Sequence, residues 1–224
     1  MGFAIAIDGP AGAGKSTVAK MLAQTLGFIY VDTGAMYRAV ALYGLRQSLD
    51  LDDEKAVCGV MDALEIVIRH MQGEQHIFLN GEDVSLALRT AEAGAGASRV
   101  AVYAPVREKL VELQRRMADT SDVVMDGRDI GTHVLPRAQV KIYLDASVET
   151  RAKRRCAELE GLQLPFDYDT IQFDLQKRDA YDMNREISPL RQADDAVHID
   201  TGDMAPHDVV EAICAVARRQ GYLT

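Results

Sequence analysis

Residues 9–16 read Gly9-Pro10-Ala11-Gly12-Ala13-Gly14-Lys15-Ser16, the spacing G-x-x-x-x-G-K-[ST], with Thr17 next. The glycines lack a Cβ, so the backbone can curl until successive N–H groups point at one anion. Lys15 adds a mobile positive charge for β- and γ-phosphates, and the Ser16 hydroxyl suits Mg²⁺. Residues 9–17 are therefore read as a nucleotide-binding loop with Ser16 as the metal ligand. The flanks agree with that reading. Phe3-Ala4-Ile5-Ala6-Ile7 is an apolar run suited to a buried parallel strand. Val18, Met21, Leu22 and Leu26 follow at helical spacing across residues 16–26, and Gly27 suits a C-terminal cap. A helix opening directly behind the loop aims its positive end at the phosphates.

Three more segments carry charge suited to a second phosphate. Arg38 stands near the start of a predicted helix, where an acidic residue would suit the dipole better. Asp122-Val123-Val124-Met125-Asp126-Gly127-Arg128-Asp129 is an apolar strand that delivers Asp126, Arg128 and Asp129 to its carboxyl end. That is where ligands bind in open α/β sheets, and an apolar strand ending in Asp resembles a Mg²⁺-proximal element. Arg151, Arg154 and Arg155 follow the fourth strand, with Arg151 and Arg155 on one helical face. Arg178, Asp182 and Arg185 are spaced for one face of another helix. Taken singly, these fit a solvated arginine, an Asp-Gly turn and a surface salt-bridge row. Taken together, in a chain of net charge −9, they concentrate cations where small anions bind. Phosphoryl transfer needs that arrangement, because its transition state spreads negative charge over several oxygens.

The elements that must hold these residues alternate. Apolar runs at 3–7, 28–31, 122–126, 139–145 and 196–200 predict five strands. Helical periodicity fills 16–26, 34–47, 104–118, 147–160, 168–184 and 206–220. The expected class is α/β, a three-layer α/β/α arrangement with a five-stranded parallel sheet. Residues 64–86 break the rhythm, with two alternating runs around a turn at Gln72-Gly73-Glu74 and a second turn signal at Asn80-Gly81. A small antiparallel insertion is expected there. Residues 161–169 form a loop-like break between charged helices, a lid or merely a turn.

The 224 residues, 48% apolar, suffice for one substantial domain. The acidic balance argues against nucleic-acid or anionic-membrane surfaces. Cys58, Cys156 and Cys214 lie far apart without C-x-x-C spacing, as expected for free thiols in a reducing cytosol. No run approaches a membrane span, and Met1-Gly2 lacks the Ser or Thr at position 6 that myristoylation requires, Ala6 standing there. The expected location is cytoplasmic.

Residues 7–16, the Asp32-Thr33-Gly34-Ala35-Met36-Tyr37-Arg38 segment, Asp126-Gly127-Arg128-Asp129-Ile130-Gly131, and Arg178-Asp179 through Asn184-Arg185 together resemble the bacterial cytidylate kinases, a family of P-loop nucleoside monophosphate kinases. The resemblance runs along nearly the whole chain. It implies one kinase domain over 1–224, an inserted monophosphate-binding subdomain at 34–100 and a lid region at 151–170. It further implies ATP-dependent phosphorylation of CMP and dCMP with Mg²⁺, small nucleotides as the partners, and a monomer. By matching motifs, Ser98, Arg107 and Asp129 would line the cytosine pocket, and Asp182 would contact the sugar. Arg38, Arg128, Arg178 and Arg185 would hold the acceptor phosphate and the transferring group, the last three acting with Lys15 in catalysis. Thr33 and Asp126 would also serve the substrate, and Arg154 and Arg155 the ATP side. Two rivals stay open at this point. A kinase of another small acceptor shares the same ATP loop, and a GTPase-type switch would need an N-K-x-D segment, whose nearest match, Asn80-Gly81-Glu82-Asp83, lacks the lysine.

Overall fold

The computed structural model of the chain describes residues 2–71 and 74–221. Its strands are β1 (Ala4–Asp8), β2 (Ile29–Asp32), β3 (Ile66–Met71), β4 (Glu74–Leu79), β5 (Glu82–Asp83), β6 (Val123–Gly127), β7 (Val140–Asp145) and β8 (Val197–Asp200). Its α-helices are α1 (Lys15–Leu26), α2 (Thr33–Arg46), α3 (Glu54–Gly59), α4 (Ala91–Val100), α5 (Ala104–Thr120), α6 (Val148–Gly161), α7 (Tyr168–Asn184) and α8 (Pro206–Arg219). The five predicted strands and six predicted helices all form, with ends within two residues of the expected ones.

The main sheet has the order β2-β6-β1-β7-β8 and is parallel throughout. Every residue of β1 is buried, as a central parallel strand covered on both faces requires. Side chains alternate across it with period two. Ile5 and Ile7 join Val18, Leu22, Ile142, Leu144 and Ile213 beneath α1 and α8. Ala4 and Ala6 face the other way, toward Val111, Met125, Ile130 and Val134. The register pairs Ile7 with Asp126, and Asp126 with Asp32, while Asp8 lies opposite Gly127. Carboxylates from three adjacent strands thus gather at one edge of the sheet.

The second sheet, β3-β4-β5, is antiparallel. Asn80 and Gly81 both adopt positive φ, 48° and 85°, the tight turn that the Asn-Gly pair predicts. Gln72 and Gly73 of the other expected turn lie outside the described residues. A separate apolar cluster packs this sheet against α2 and the start of α5, through Met36, Val40, Ile66, Ile77, Leu79 and Leu110. The small sheet also covers the open edge of β2. Gln75 accepts from the Asp32 N–H at 2.9 Å and donates to its carbonyl at 3.3 Å, and His70 Nε2 pairs with the Tyr30 carbonyl at 2.9 Å. Lys20 and Glu74 add an ion pair at 2.6 Å. An uncovered edge strand would present unpaired backbone groups.

Three features differ from the sequence reading. Helices α3 and α4 appear where no periodicity predicted them, and Ile130–Val134 forms one wide π-helical turn after β6. Arg185 does not continue the helical face of Arg178 and Asp182. Helix α7 ends at Asn184, and Arg185 is extended, with φ −63° and ψ 143°. Among the described residues no helix is long and apolar enough to cross a membrane.

Candidate active site

The phosphate loop leaves β1 at Gly9, whose φ is 148°. A Cβ there would lie 2.0 Å from the Leu144 carbonyl oxygen, so only glycine lets the chain cross the end of β7. At the far end Gly14, with φ 83°, caps α1 without any side-chain acceptor. The first-turn N–H groups of α1 therefore stay available to an anion. Lys15 is buried, and its Nζ donates to the Pro10 carbonyl at 2.6 Å. Burial, with the Arg128 charge adding to it, pushes the Lys15 ammonium well below its ordinary range. A cation so placed is poised to trade that single carbonyl for phosphate oxygens.

Ser16 donates to Asp126 Oδ2 at 2.7 Å, and the Tyr30 hydroxyl donates to Oδ1 at 3.2 Å. Burial, helped by the nearby Asp32, raises the Asp126 carboxyl to about 6, against the pull of Lys15. A hydroxyl and a carboxylate side by side at the mouth of a phosphate loop are hard oxygen donors of the kind Mg²⁺ takes along with nucleotide phosphates. The residues present fit that ion. The loop is braced from behind by Arg151, a buried residue of α6 that donates to the Ala11 and Ala146 carbonyls at 2.9 Å. Its guanidinium pairs with Asp179 of α7 at 2.6 Å.

Across from the loop stand the other arginines. Arg38 pairs with Asp32 at 2.8 Å, and Arg128 Nε donates to Asp182 at 2.8 Å. Arg178 is pushed down to about 10 by burial, with the Arg128 charge beside it. Beyond them lies a buried row of charge. Arg107 donates to Asp129 Oδ2, and Arg185 donates to Asp129 Oδ1 at 3.3 Å and to the Ser188 carbonyl at 2.6 Å. Tyr37 lies against the Arg107 guanidinium, 5.9 Å from ring centre to carbon, and burial pushes its hydroxyl up to about 12. The Nε atoms of Arg107 and Arg178 are buried donors without partners among the described residues. Buried donors left unpaired in a cavity wall suit an incoming acceptor.

All the predicted site residues except Gly9 and Pro10 line one cavity of about 860 Å³. Several are engaged differently from the simple expectation. Thr33 spends its hydroxyl proton on the Asp126 carbonyl at 2.7 Å. Arg154 holds the Thr201 hydroxyl at 3.0 Å and its carbonyl at 2.5 Å. Arg155 is exposed and paired with Glu158 at 2.6 Å. Arg151 and Arg155 share a face by spacing, yet only Arg151 is buried. Ser98 is half-buried on α4, lining the cavity near Arg107. The sequence reading does not single out Tyr37, which lines the cavity, Tyr30, which holds Asp126, or Asp8, which grips the turn after Asp129 from outside the cavity. Arg151, marked in the sequence only by its charge, braces the loop. Asp8 carried a signal, since it ends an apolar strand as Asp126 nearly does.

The cavity thus offers a phosphate cradle with an adjoining metal site at one end, a cationic middle, and a buried hydrogen-bonding wall at the other. A family model described as cytidylate kinase matches residues 5–219 of this chain. A cytidylate kinase of Lactobacillus johnsonii is 49% identical over 216 residues, 96% of this chain and 94% of the relative. One from Lactobacillus gasseri is similar to the same degree, 49% over 216 residues with the same coverage. A gluconokinase structure from Sinorhizobium meliloti 1021 superposes with a TM-score of 0.50 at 14% identity, over 98% of this chain and 94% of that one, a likeness of fold.

Proposed function

The chain belongs to the cytidylate kinase family, and from that premise we propose that ATP and CMP or dCMP meet in this cavity with their phosphates in line. The reaction converts ATP and (d)CMP to ADP and (d)CDP. An oxygen of the acceptor phosphate forms the new bond to the γ-phosphorus, while the bond to the β,γ-bridging oxygen breaks and its electrons leave with ADP. That acceptor oxygen is already anionic near neutral pH, so no general base is needed. Residues 9–17 cradle the donor phosphates, Lys15 leaves Pro10 for them, and Arg154 and Arg155 flank the donor side. Ser16, with Asp126 beside it, would hold Mg²⁺, which when bound would supply neutralisation of phosphate charge. Arg38, Arg128, Arg178 and Arg185 hold the acceptor phosphate and the charge that develops, planar guanidiniums being suited to paired contacts. Asp182, anchored by Arg128, faces the sugar, and Thr33 lines the acceptor side.

One observation carries the choice of base: the buried Asp129, fixed between Arg107 and Arg185 at the end of the cavity. Each carboxylate oxygen keeps a lone pair free for the cytosine N4 amino group, where uracil presents a carbonyl that would repel it. Arg107 and Ser98 supply donors for the base carbonyl or ring nitrogen. Residues 34–100 form the acceptor-binding unit and 151–170 the lid, and their closure excludes water and limits ATP hydrolysis. In keeping with the family resemblance, the enzyme acts as a monomer in the cytoplasm in this reading.

The test is turnover with Mg·ATP and each of CMP, dCMP, UMP, AMP and dTMP, reading ADP and the diphosphate product. Fast turnover confined mainly to CMP and dCMP is expected. It should fall about a thousandfold in Arg185→Ala, with the circular dichroism spectrum unchanged. Preference for another acceptor would keep the phosphate loop but sink the assignment of Ser98, Arg107 and Asp129. Normal turnover in Arg185→Ala would remove that residue from the mechanism.

A further inference from the structure

Asp8 does not line the cavity, and no step of the transfer uses it. It is the last residue of β1, directly before Gly9 of the phosphate loop, and it is 4% exposed. Both its carboxylate oxygens are taken by backbone donors from a distant segment: Oδ1 accepts from the Ile130 N–H at 2.7 Å, and Oδ2 from the Gly131 N–H at 2.7 Å. Those two residues immediately follow Asp129. The wide turn they open is closed by its own backbone, through the His133 and Val134 N–H groups on the Asp129 carbonyl and Leu135 N–H on Ile130. Its far end is held by Arg115 of α5, which donates to the Val134 and His133 carbonyls at 2.9 and 2.8 Å, so that Asp8 is the grip on its first two residues. The fit is close on the outer side as well. A Cβ on Gly131 would meet the Lys141 side chain at 3.2 Å and Asp8 Oδ2 at 3.4 Å. Lys141 is itself pinned by the Pro136 carbonyl at 2.7 Å and by Asp195.

From this geometry we infer that Asp8 is a positioning residue for base selection, fixing through two backbone hydrogen bonds the turn on which Asp129 stands. The inference rests on the reading of Asp129 as the cytosine contact and extends it. A carboxylate that grips two consecutive N–H groups defines both the position and the orientation of that peptide. Asp129 must stay correctly placed against Arg107 and Arg185 to accept from the base, and misplacement of a fraction of an ångström weakens such discrimination. The same residue also joins this turn to the start of the phosphate loop, so that the acceptor base and the donor phosphates share one rigid reference.

Asp8→Asn keeps the shape of the side chain. It retains one acceptor but turns an NH₂ toward the Gly131 N–H, so one bond becomes a repulsion between donors. The expected result is a rise in KM for CMP of about tenfold, and a fall of similar size in the ratio of kcat/KM for CMP over UMP, with KM for ATP little changed. A residue that merely supports the fold would lower kcat for both acceptors in proportion and leave the ratio alone. That outcome overturns the inference. Gly131→Ala, which presses on the same turn while leaving Asp8 intact, provides a second reading should Asp8→Asn not fold, and the same loss of CMP over UMP selectivity is expected from it. Asp129→Asn run in parallel separates the two levels. Selectivity lost in Asp129→Asn but kept in Asp8→Asn and Gly131→Ala refutes the role of Asp8 alone. Selectivity kept in Asp129→Asn refutes the base contact, and the positioning role with it.

Discussion

Burial raises the Asp8 carboxyl from its ordinary 3.8 to about 7, although two backbone N–H groups pull it down. The direction is opposite to that of a surface salt-bridged carboxylate, and so is its consequence for stability. Between about pH 4 and 7 the folded chain holds a proton that the unfolded chain has released. The unfolded state then binds fewer protons, so the free energy of unfolding falls as pH rises. The contribution is fully present below pH 4 and is lost through pH 7, with an upper bound of about 4 kcal/mol from a shift of that size. The urea midpoint of the ligand-free protein is therefore expected to fall from pH 5 to pH 8, and Asp8→Asn should flatten that slope. Parallel slopes for the two proteins would mean that Asp8 stays ionised throughout. Ionised Asp8 is the form that accepts both N–H bonds, so this residue gives up stability in the pH range where its positioning is complete. Lys15 and Asp126 show the same conflict, each a buried charge whose counterpart in function is a ligand rather than the protein.

At the scale of elements, the site depends on how α6 and α7 meet the phosphate loop. Arg151 joins all three, and its partner Asp179 keeps a second buried oxygen without a hydrogen bond among the described residues. Arg151→Met leaves Asp179 as a lone buried charge and should cost about 3–5 kcal/mol. Replacing both, Arg151→Met with Asp179→Leu, should recover most of that stability by urea denaturation. It should not restore the KM for ATP, because the Ala11 carbonyl has lost its donor. A double variant as unstable as the single one would show that the cost comes from the lost backbone bonds and not from the unpaired charge. This brace was only half legible in the sequence. The i, i+4 spacing puts Arg151 and Arg155 on one face, but which of them is buried depends on how far along α6 the loop crosses. Strands β1, β6 and β7 were legible because burial on both faces demands unbroken apolar runs. Helix α4 was not, since Gly94 and Gly96 weaken it and its small residues draw no stripe. It forms because it packs close on α2, where a Cβ on Gly96 would lie 2.8 Å from the Ala41 Cβ. Ser98, carried on that helix, could be found only through resemblance to a family. The phosphate loop, by contrast, is read directly, because its backbone conformation fixes its residue types.

The whole molecule is acidic, with a net charge of −9, yet its cations converge. Lys15, Arg38, Arg107, Arg128, Arg178 and Arg185 all line one cavity. Asp32, Asp129 and Asp182 neutralise part of that charge through ion pairs. The remainder is expressed in Lys15 and Arg178, both held below their ordinary pKa by burial and by the Arg128 charge. The cavity without its substrates therefore works against the fold, and a polyvalent anion should relieve it. At a hundred times its dissociation constant, an anion that binds only the folded state adds about 2.7 kcal/mol. For a chain of this size that is a rise in Tm on the order of 5–10 °C. Pyrophosphate should give such a rise, and sodium chloride at equal ionic strength should not. Chloride only screens, and screening mainly weakens exposed pairs such as Arg99 with Asp50, which contribute little. Equal effects of the two salts would mean that the carboxylates already balance the guanidiniums. Catalytic charge would then have to be created by movement of the proposed lid, rather than stored in the cavity and released onto the substrates.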